Sequence, residues 1–256
     1  MSTPALPPAH PEPALLPTPT VPDAASSLLR TLIVALFAIT FLLQPLLIPS
    51  ESMERTLLVG DFLLFNKQVF APSGWLSRHL LPYRDVQRGD IIVFHHSNPP
   101  LLVKRVVGLP GDRLHIDNGR VTINGVPLSE PYVAFEPAPP NPFRDHFPAS
   151  VYTDPQVDPD WWRLMQSLVR NGDLTVPPGE YFVLGDNRNH SKDSRFWGFV
   201  PRESIIARPL VIYFSLRRPS TTDVQQASDD RLTHDGELSA RLKGFARWKR
   251  IFQRVR

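Results

Sequence analysis

An uncharged, mostly apolar run of 18 residues, from Thr31 to Ile48, limits the folds open to this chain. A run of that length is at the short end of what crosses a bilayer as a helix. The alternatives are a cleaved signal peptide and a buried helix of a soluble domain. The residues that precede the run are numerous and proline-rich, and no small-residue cleavage site follows it. Both features are unlike a secretory signal peptide. We therefore expect one transmembrane helix over residues 27–45, ended by Gln44 and Pro45.

The two ends of the chain differ from its middle. Residues 1–26 are rich in proline, alanine and threonine and cannot bury enough apolar surface to fold, so we expect a disordered tail. Arg30 favours a cytoplasmic N-terminus. Residues 219–256 are expected to form a polar linker and a basic amphipathic helix, which could lie on anionic lipid or pack on the domain. The net charge of +3 is concentrated there, which argues against a nucleic-acid-binding domain.

After the apolar run, the chain changes to short apolar or alternating segments bounded by Gly, Pro, Asn and Asp. Such segments are typical of strands. They read DFLLFNKQVF, DIIVFHH, LLVKRVVGL, DRLHIDNGRVTINGVPL and GEYFVLGD. The Asn-Gly pairs at 118–119 and 124–125 predict consecutive hairpins, because such pairs adopt the positive φ angles of tight turns. We predict a mainly β, antiparallel domain over residues 46–218, with an inserted smaller region at 129–176, where proline and aromatic residues are frequent.

Two serines lie at the start of this predicted domain. Ser50 and Ser52 follow the apolar run directly, and a serine hydroxyl is a weak nucleophile unless a base removes its proton. The chain has no cysteine, which excludes thiol catalysis, disulfides and cysteine-ligated metals. None of its eight histidines shows the spacing of metal ligands, so we expect neither a metal nor a cofactor.

A lysine is the better candidate for the base. Lys104 lies in an otherwise apolar predicted strand, where a charged ammonium is unfavourable unless it is paired. Burial would favour the neutral amine, which can accept a proton. The alternative is an ordinary lysine at a sheet edge, whose ammonium reaches solvent.

Several ordered blocks between residues 44 and 218 resemble the bacterial type I signal peptidases, a family of membrane-anchored serine/lysine endopeptidases. These blocks read QPLLIPSESMERTLLVGDFLLFNK, RGDIIVF, VKRVVGLPGD, INGVPLSEPY and VPPGEYFVLGDNRNHSKDSRFWGFVP. The resemblance implies that the antiparallel domain is catalytic, with Ser52 as the nucleophile and Lys104 as the general base. It also implies that the Ser50 hydroxyl joins the Ser52 backbone N–H in an oxyanion hole.

The resemblance implies supporting roles for five further residues. Ser191 corresponds to the serine that orients the lysine amine. Asp193 and Arg195 correspond to one supporting ion pair, and Asp186 and Arg105 correspond to a second.

The resemblance also implies a substrate. An extended segment of an exported preprotein adds between the segment before Ser52 and the segment before Lys104, with Ile48 and Val103 lining shallow pockets. It is cleaved after small residues in an Ala-x-Ala arrangement. The expected location is the bacterial cytoplasmic membrane, with the catalytic domain on the outer face and no nucleic acid as partner. The chain departs from the family at Glu51 and Arg55, where a small residue and a proline are common.

Two other functions fit parts of this pattern. A self-cleaving transcriptional repressor would use the same serine/lysine chemistry. It needs a helix-turn-helix domain, however, for which the N-terminal residues leave no room. A membrane-anchored binding module would keep the β fold and lose the nucleophile or the base, yet both Ser52 and Lys104 are present.

Overall fold

The computed structural model describes residues 21–37, 43–66, 84–96, 101–217 and 246–255. The chain divides into two compact units, residues 1–40 and 41–256. The described part of the first unit is one helix, α1 (Val21–Phe37). No helix in the described ranges is both long enough and apolar enough to span a bilayer.

Two boundaries predicted near the N-terminus need correction. Helix α1 begins at Val21, so residues 21–26 are helical and do not belong to the predicted disordered tail. Ala24 and Ala25 are strong helix formers and extend the helix in this direction. Residues 1–20 and 38–42, over which the tail and the span were also predicted, lie outside the described residues.

The end of the predicted span is also different. Residues 43–47 form a strand, whereas the helix was predicted to continue to Pro45. This strand lies at one edge of a sheet, where a proline without an amide hydrogen is tolerated.

The second unit consists of two antiparallel sheets. Its strands are β1 (Leu43–Leu47), β2 (Asp61–Asn66), β3 (Ile91–Phe94), β4 (Leu102–Gly108), β5 (Arg113–Asp117), β6 (Arg120–Ile123), β7 (Val126–Pro127), β8 (Val169–Arg170), β9 (Asp173–Thr175), β10 (Glu180–Leu184), β11 (Val200–Pro201), β12 (Ile205–Ser215) and β13 (Gln253–Arg254). The larger sheet has the order β1-β2-β12-β3-β4-β10-β11, and β13 pairs with β12. The smaller sheet has the order β7-β6-β5-β9-β8.

Short helices and turns connect these strands. They are the helices α2 (Pro142–Asp145), α3 (Pro159–Leu168) and α4 (Ser194–Trp197), and the 3-10 turns Glu51–Met53, Arg188–His190, Arg202–Ser204 and Trp248–Arg250. Helix α3 begins where the Asp158 carboxylate accepts hydrogen bonds from two backbone N–H groups of its first turn. Its buried Trp161 and Met165 pack on the smaller sheet.

The predicted antiparallel β architecture is confirmed. Each of the five predicted strand segments contains at least one strand, and both predicted hairpins form, with positive φ at all four residues of the Asn-Gly pairs. Strand β12, which lies between β2 and β3, was not predicted, because Pro209 interrupts its apolar pattern. The pairing register shifts beside Pro209, and such an irregularity accommodates a proline inside a sheet.

The predicted C-terminal amphipathic helix is wrong. Residues 246–255 form a 3-10 turn and strand β13 instead. Phe252 has a φ of 64°, outside the helical range, and its backbone N–H donates to Ile212 O at 2.7 Å. Pairing with β12 therefore replaces helical hydrogen bonds. The predicted linker from residue 219 falls within 218–245, outside the described residues.

The predicted inserted region contributes to the smaller sheet. Strands β8 and β9 lie within it, and β9 pairs with β5. Under the larger sheet, a separate apolar core supports the 3-10 turn Glu51–Met53. Its buried members are Ile48, Met53, Leu57, Leu63, Phe65, Ile91, Val93, Val103, Ala207, Ile212 and Val255.

Candidate active site

Ser52 lies in the 3-10 turn Glu51–Met53, called the serine turn below, and its side chain is buried. The next residue, Met53, is 1% exposed and packs in the apolar core of the larger sheet, which holds the turn in place. On the other side, the backbone N–H of Asn187 donates to Ser52 O at 3.1 Å. These two contacts fix the backbone of the turn on both sides of the Ser52 side chain.

Lys104 lies on β4, an inner strand between β3 and β10, so the alternative of a lysine at a sheet edge does not hold. Its side chain is 4% exposed. Burial lowers the pKa of Lys104 to about 8, with Arg195 assisting and Asp193 and Asp186 opposing the shift. A substantial fraction of the amine is therefore neutral in mildly alkaline solution.

The structure brings these two side chains together across 52 residues of sequence. Lys104 Nζ donates to Ser52 Oγ at 2.6 Å, in a buried environment. The Ser50 hydroxyl is 3.4 Å from Ser52 Oγ, longer than the usual hydrogen bond between hydroxyl groups. Ser50 is exposed, and its hydroxyl lies beside the Lys104–Ser52 pair.

Asp193 and Arg195 form a buried ion pair behind this site. Arg195 Nε donates to Asp193 Oδ1 at 2.8 Å, and Nη2 donates to Oδ2 at 2.8 Å. Burial raises the pKa of Asp193, but the adjacent guanidinium outweighs it and leaves the pKa below its ordinary value. Asp193 is therefore ionised, and its charge acts on Lys104.

Asp186 and Arg105 form a second buried pair. Arg105 Nε and Nη2 donate to the two carboxylate oxygens of Asp186, each at 2.7 Å. Thr56 Oγ1 donates to Asp186 Oδ2 at 2.5 Å, and the Tyr132 ring lies 3.9 Å from the guanidinium carbon of Arg105. This pair connects β4 to the residues that follow the serine turn.

Ser191 lies next to the site but is not bonded to Lys104. Its side chain is buried, and its hydroxyl has no hydrogen-bond partner among the described residues. Gly185 lies against it: a Cβ added at Gly185 would be 2.3 Å from Ser191 Oγ and 2.4 Å from Ser52 O. Only glycine fits there.

A small pocket opens beside Ser52. Its volume is about 50 Å³, and it lies between the segment before Ser52 and the segment before Lys104. The lining residues are Leu46, Leu47, Ile48, Pro49, Ser50, Ser52, Met53, Leu101, Leu102, Val103 and Lys104. Ile48 and Val103, the predicted pocket residues, are both among them.

Residues 22–214 match the family described as Signal peptidase, peptidase S26. The chain belongs to this family. Signal peptidase I from Leptolyngbya laminosa is 37% identical over 233 residues, covering 84% of this chain and 91% of its own. Signal peptidase I from Pseudomonas aeruginosa is 31% identical over 253 residues, covering 88% and 85%. A crystal structure of a signal peptidase I from Enterococcus faecalis is 35% identical and covers 49% of this chain and 97% of its own, with a TM-score of 0.36.

The predicted family is therefore confirmed, and this S26 chain is a serine endopeptidase. Within the described ranges, no group of three or more His, Cys, Asp or Glu residues could hold a metal ion.

Three residues of the S26 site were missed in the sequence. Asn187 donates to the Ser52 backbone oxygen, Gly185 leaves no room for a Cβ beside that oxygen, and Thr56 joins the Arg105–Asp186 pair. Gly185 and Asn187 flank Asp186 in the motif GDNR, which lies in one of the blocks that resemble the family. That block could have identified both as site residues. No local pattern distinguishes Thr56, because its partner is 130 residues away.

The two departures from the S26 pattern have different consequences. Glu51 is exposed, so its charge stays in solvent. Arg55 has a φ of 83°, which a proline cannot adopt because its ring holds φ near about −65°. Arg55 Nη1 donates to Val133 O at 2.7 Å. The turn after Ser52 therefore takes a backbone course that proline would not allow.

Proposed function

We propose that this chain removes N-terminal signal peptides from exported preproteins, with Ser52 as the nucleophile and Lys104 as the general base. The observation that carries the proposal is the 2.6 Å contact between Lys104 Nζ and Ser52 Oγ in a buried site. Relatives named signal peptidase I support the class of substrate.

The acylation step follows from this geometry. Neutral Lys104 takes the proton from Ser52 as Oγ attacks the scissile carbonyl carbon. The resulting ammonium gives that proton to the leaving amine when the C–N bond breaks, which leaves the signal peptide as an ester on Ser52. Lys104 then takes a proton from a water that attacks the ester carbon, and returns it to Ser52 Oγ as the carbon–Oγ bond breaks. The signal peptide departs with a free carboxylate, and the Ser52 hydroxyl is restored.

The tetrahedral intermediate needs donors where negative charge develops. We assign these to the Ser52 backbone N–H and the Ser50 hydroxyl, which lies beside Ser52 Oγ. Ser191 is assigned to orienting the Lys104 amine, because its hydroxyl is buried beside the site and has no hydrogen-bond partner among the described residues. The Asp193–Arg195 pair supports this arrangement through its charges near Lys104.

The pocket beside Ser52 leads to a prediction about specificity. Its volume of about 50 Å³ suits a small side chain, and forcing a large one into packed surroundings costs about 1–3 kcal/mol. Preprotein peptides with Phe directly before the scissile bond should therefore show a kcat/KM roughly 5- to 150-fold below that of the Ala peptide. Steady-state kinetics on the two peptides measure this ratio.

A variant of a pocket residue tests whether the pocket itself causes this preference. Ile48→Ala enlarges the pocket and should recover part of the cleavage after Phe, whereas a Phe placed after the scissile bond should have little effect. Cleavage after Phe by the unaltered chain at the rate seen after Ala would refute the assignment of Ile48 and Val103.

A second prediction concerns location. We propose that the part of the uncharged run that precedes β1 anchors the chain in the bacterial cytoplasmic membrane, with Ser52 on the outer face. A reporter that is active only after export should be active when fused to the C-terminus. A matched cytoplasm-specific reporter should be silent, and the reverse result would contradict this topology.

A further inference from the structure

The C-terminal segment, defined here as Ala246–Val255, is part of the catalytic unit. Strand β13 pairs with β12 in the larger sheet. Val255 is 8% exposed and belongs to the same apolar core as Ile48, which precedes the serine turn, and Met53, which ends it. This segment therefore completes the core that supports Ser52.

Two arginines of this segment supply the charge for a buried carboxylate. Asp61 is fully buried, and it accepts hydrogen bonds from Leu58 N at 2.8 Å and Ser215 Oγ at 2.6 Å. Among the described residues, the cations within 4.0 Å of its oxygens are Arg250, at 2.6 Å, and Arg247, at 3.7 Å. A buried carboxylate without a cation is strongly unfavourable.

Arg250 also contacts the turn after the nucleophile. The same Nη2 that donates to Asp61 donates to the backbone oxygen of Thr56 at 2.9 Å. The Thr56 N–H donates to Met53 O at 3.1 Å, and the Thr56 hydroxyl donates to Asp186. A continuous series of hydrogen bonds thus runs from Arg250 to the residue next to Ser52.

We propose that Arg250 is a positioning residue for Ser52. Its planar guanidinium holds Asp61 and the Thr56 carbonyl together, and so keeps the serine turn aligned with Lys104. The inference rests on the proposed function, because it concerns the same nucleophile. It adds a contribution from Arg250, a residue 198 positions beyond Ser52 in sequence.

The test uses the full chain and the Arg250→Lys variant. Lysine keeps the charge for Asp61, but its amine ends one bond short of the Nη2 position and cannot reproduce the planar fork. We expect kcat on a preprotein peptide to fall about 10- to 100-fold, because small misplacements of reacting groups have effects of that size. The midpoint of the alkaline rise in rate should stay unchanged, since the surroundings of Lys104 are intact.

Arg254→Lys is the matched control, because Arg254 lies exposed in the same segment. It should leave kcat unchanged. A second variant, Asp61→Asn with Arg250→Gln, removes both charges and so avoids an unpaired buried carboxylate, and it should show a similar loss of kcat. Thermal unfolding and the folded fraction are measured for every variant.

Three results would overturn the proposal. They are a folded Arg250→Lys or double variant with wild-type kcat, a loss of kcat explained by the folded fraction alone, and an equal loss in Arg254→Lys. If the unaltered chain cleaves no preprotein, the proposed function fails instead. If it cleaves normally and Arg250→Lys does too, only the positioning role fails.

Discussion

The Ser52→Ala variant is expected to lose cleavage of preproteins, with a fall in kcat on the order of 10⁶-fold. The reason is that Ser52 Oγ is the atom that forms the ester, and Lys104 Nζ lies 2.6 Å from it. Without that oxygen, only slow hydrolysis by water remains. Steady-state cleavage of a preprotein peptide measures the loss, and a thermal unfolding curve shows whether the variant remains folded.

Ser50→Ala is the graded comparison for this experiment. Its hydroxyl is assigned to the oxyanion hole, and loss of one such donor costs about 10²–10³-fold in rate. Ser50 is exposed, so the substitution creates no core cavity. Complete loss in both variants, or turnover by Ser52→Ala comparable to that of Ser50→Ala, would contradict the assigned roles.

Lys104→Arg should be as inactive as Lys104→Met. An arginine keeps the positive charge and a similar length, but its guanidinium does not lose a proton in proteins and cannot act as a base. For the unaltered chain, the neutral amine is the active form. The rate should therefore rise as pH increases through about 8, the pKa of Lys104.

The same pKa has a consequence for stability. The pKa of Lys104 is lower in the folded chain than its ordinary value of 10.5, so the folded state binds the proton less tightly than the unfolded state. The buried ammonium therefore destabilises the folded state by roughly 3 kcal/mol. This destabilisation is fully present below pH 8 and diminishes as pH rises toward 10.5. Lys104→Met removes the buried ammonium and should melt at a higher temperature at pH 7, which separates lost activity from lost folding.

His190 provides the control for the identity of the base. It is exposed, and its Nε2 lies 3.1 Å from Pro137 O, so His190→Ala should leave the alkaline rise in place. A rise centred near about pH 6.5 that disappears in a histidine variant would refute Lys104 as the base. Substantial activity in Lys104→Arg would do the same.

Local sequence patterns predicted the parts of the fold that depend on neighbouring residues. The alternating and apolar segments became strands, and the Asn-Gly pairs became turns, because side-chain periodicity and positive φ are local properties. Strand β12 escaped prediction because Pro209 is unfavourable in a strand judged by itself. Its pairing with β2 and β3 is what makes the proline tolerable.

The C-terminal segment shows the opposite error. Its basic and aromatic spacing resembled an amphipathic helix, but the tertiary structure offers stronger partners. Strand β12 supplies backbone hydrogen bonds, and Asp61 supplies a buried countercharge for Arg250. Neither partner lies within the segment, so its own pattern could not indicate them.

The order of the residues identifies the chemical groups of this protein and contains the block pattern that places it in the signal peptidase S26 family. How those groups behave depends on the tertiary structure. The pKa of Lys104 depends on how completely β4 and its neighbours exclude water. The buried charge of Asp61 is compensated by an arginine 189 residues away. Burial and ion pairing are sums over atoms that folding brings together, and so they are absent from any short stretch of the chain.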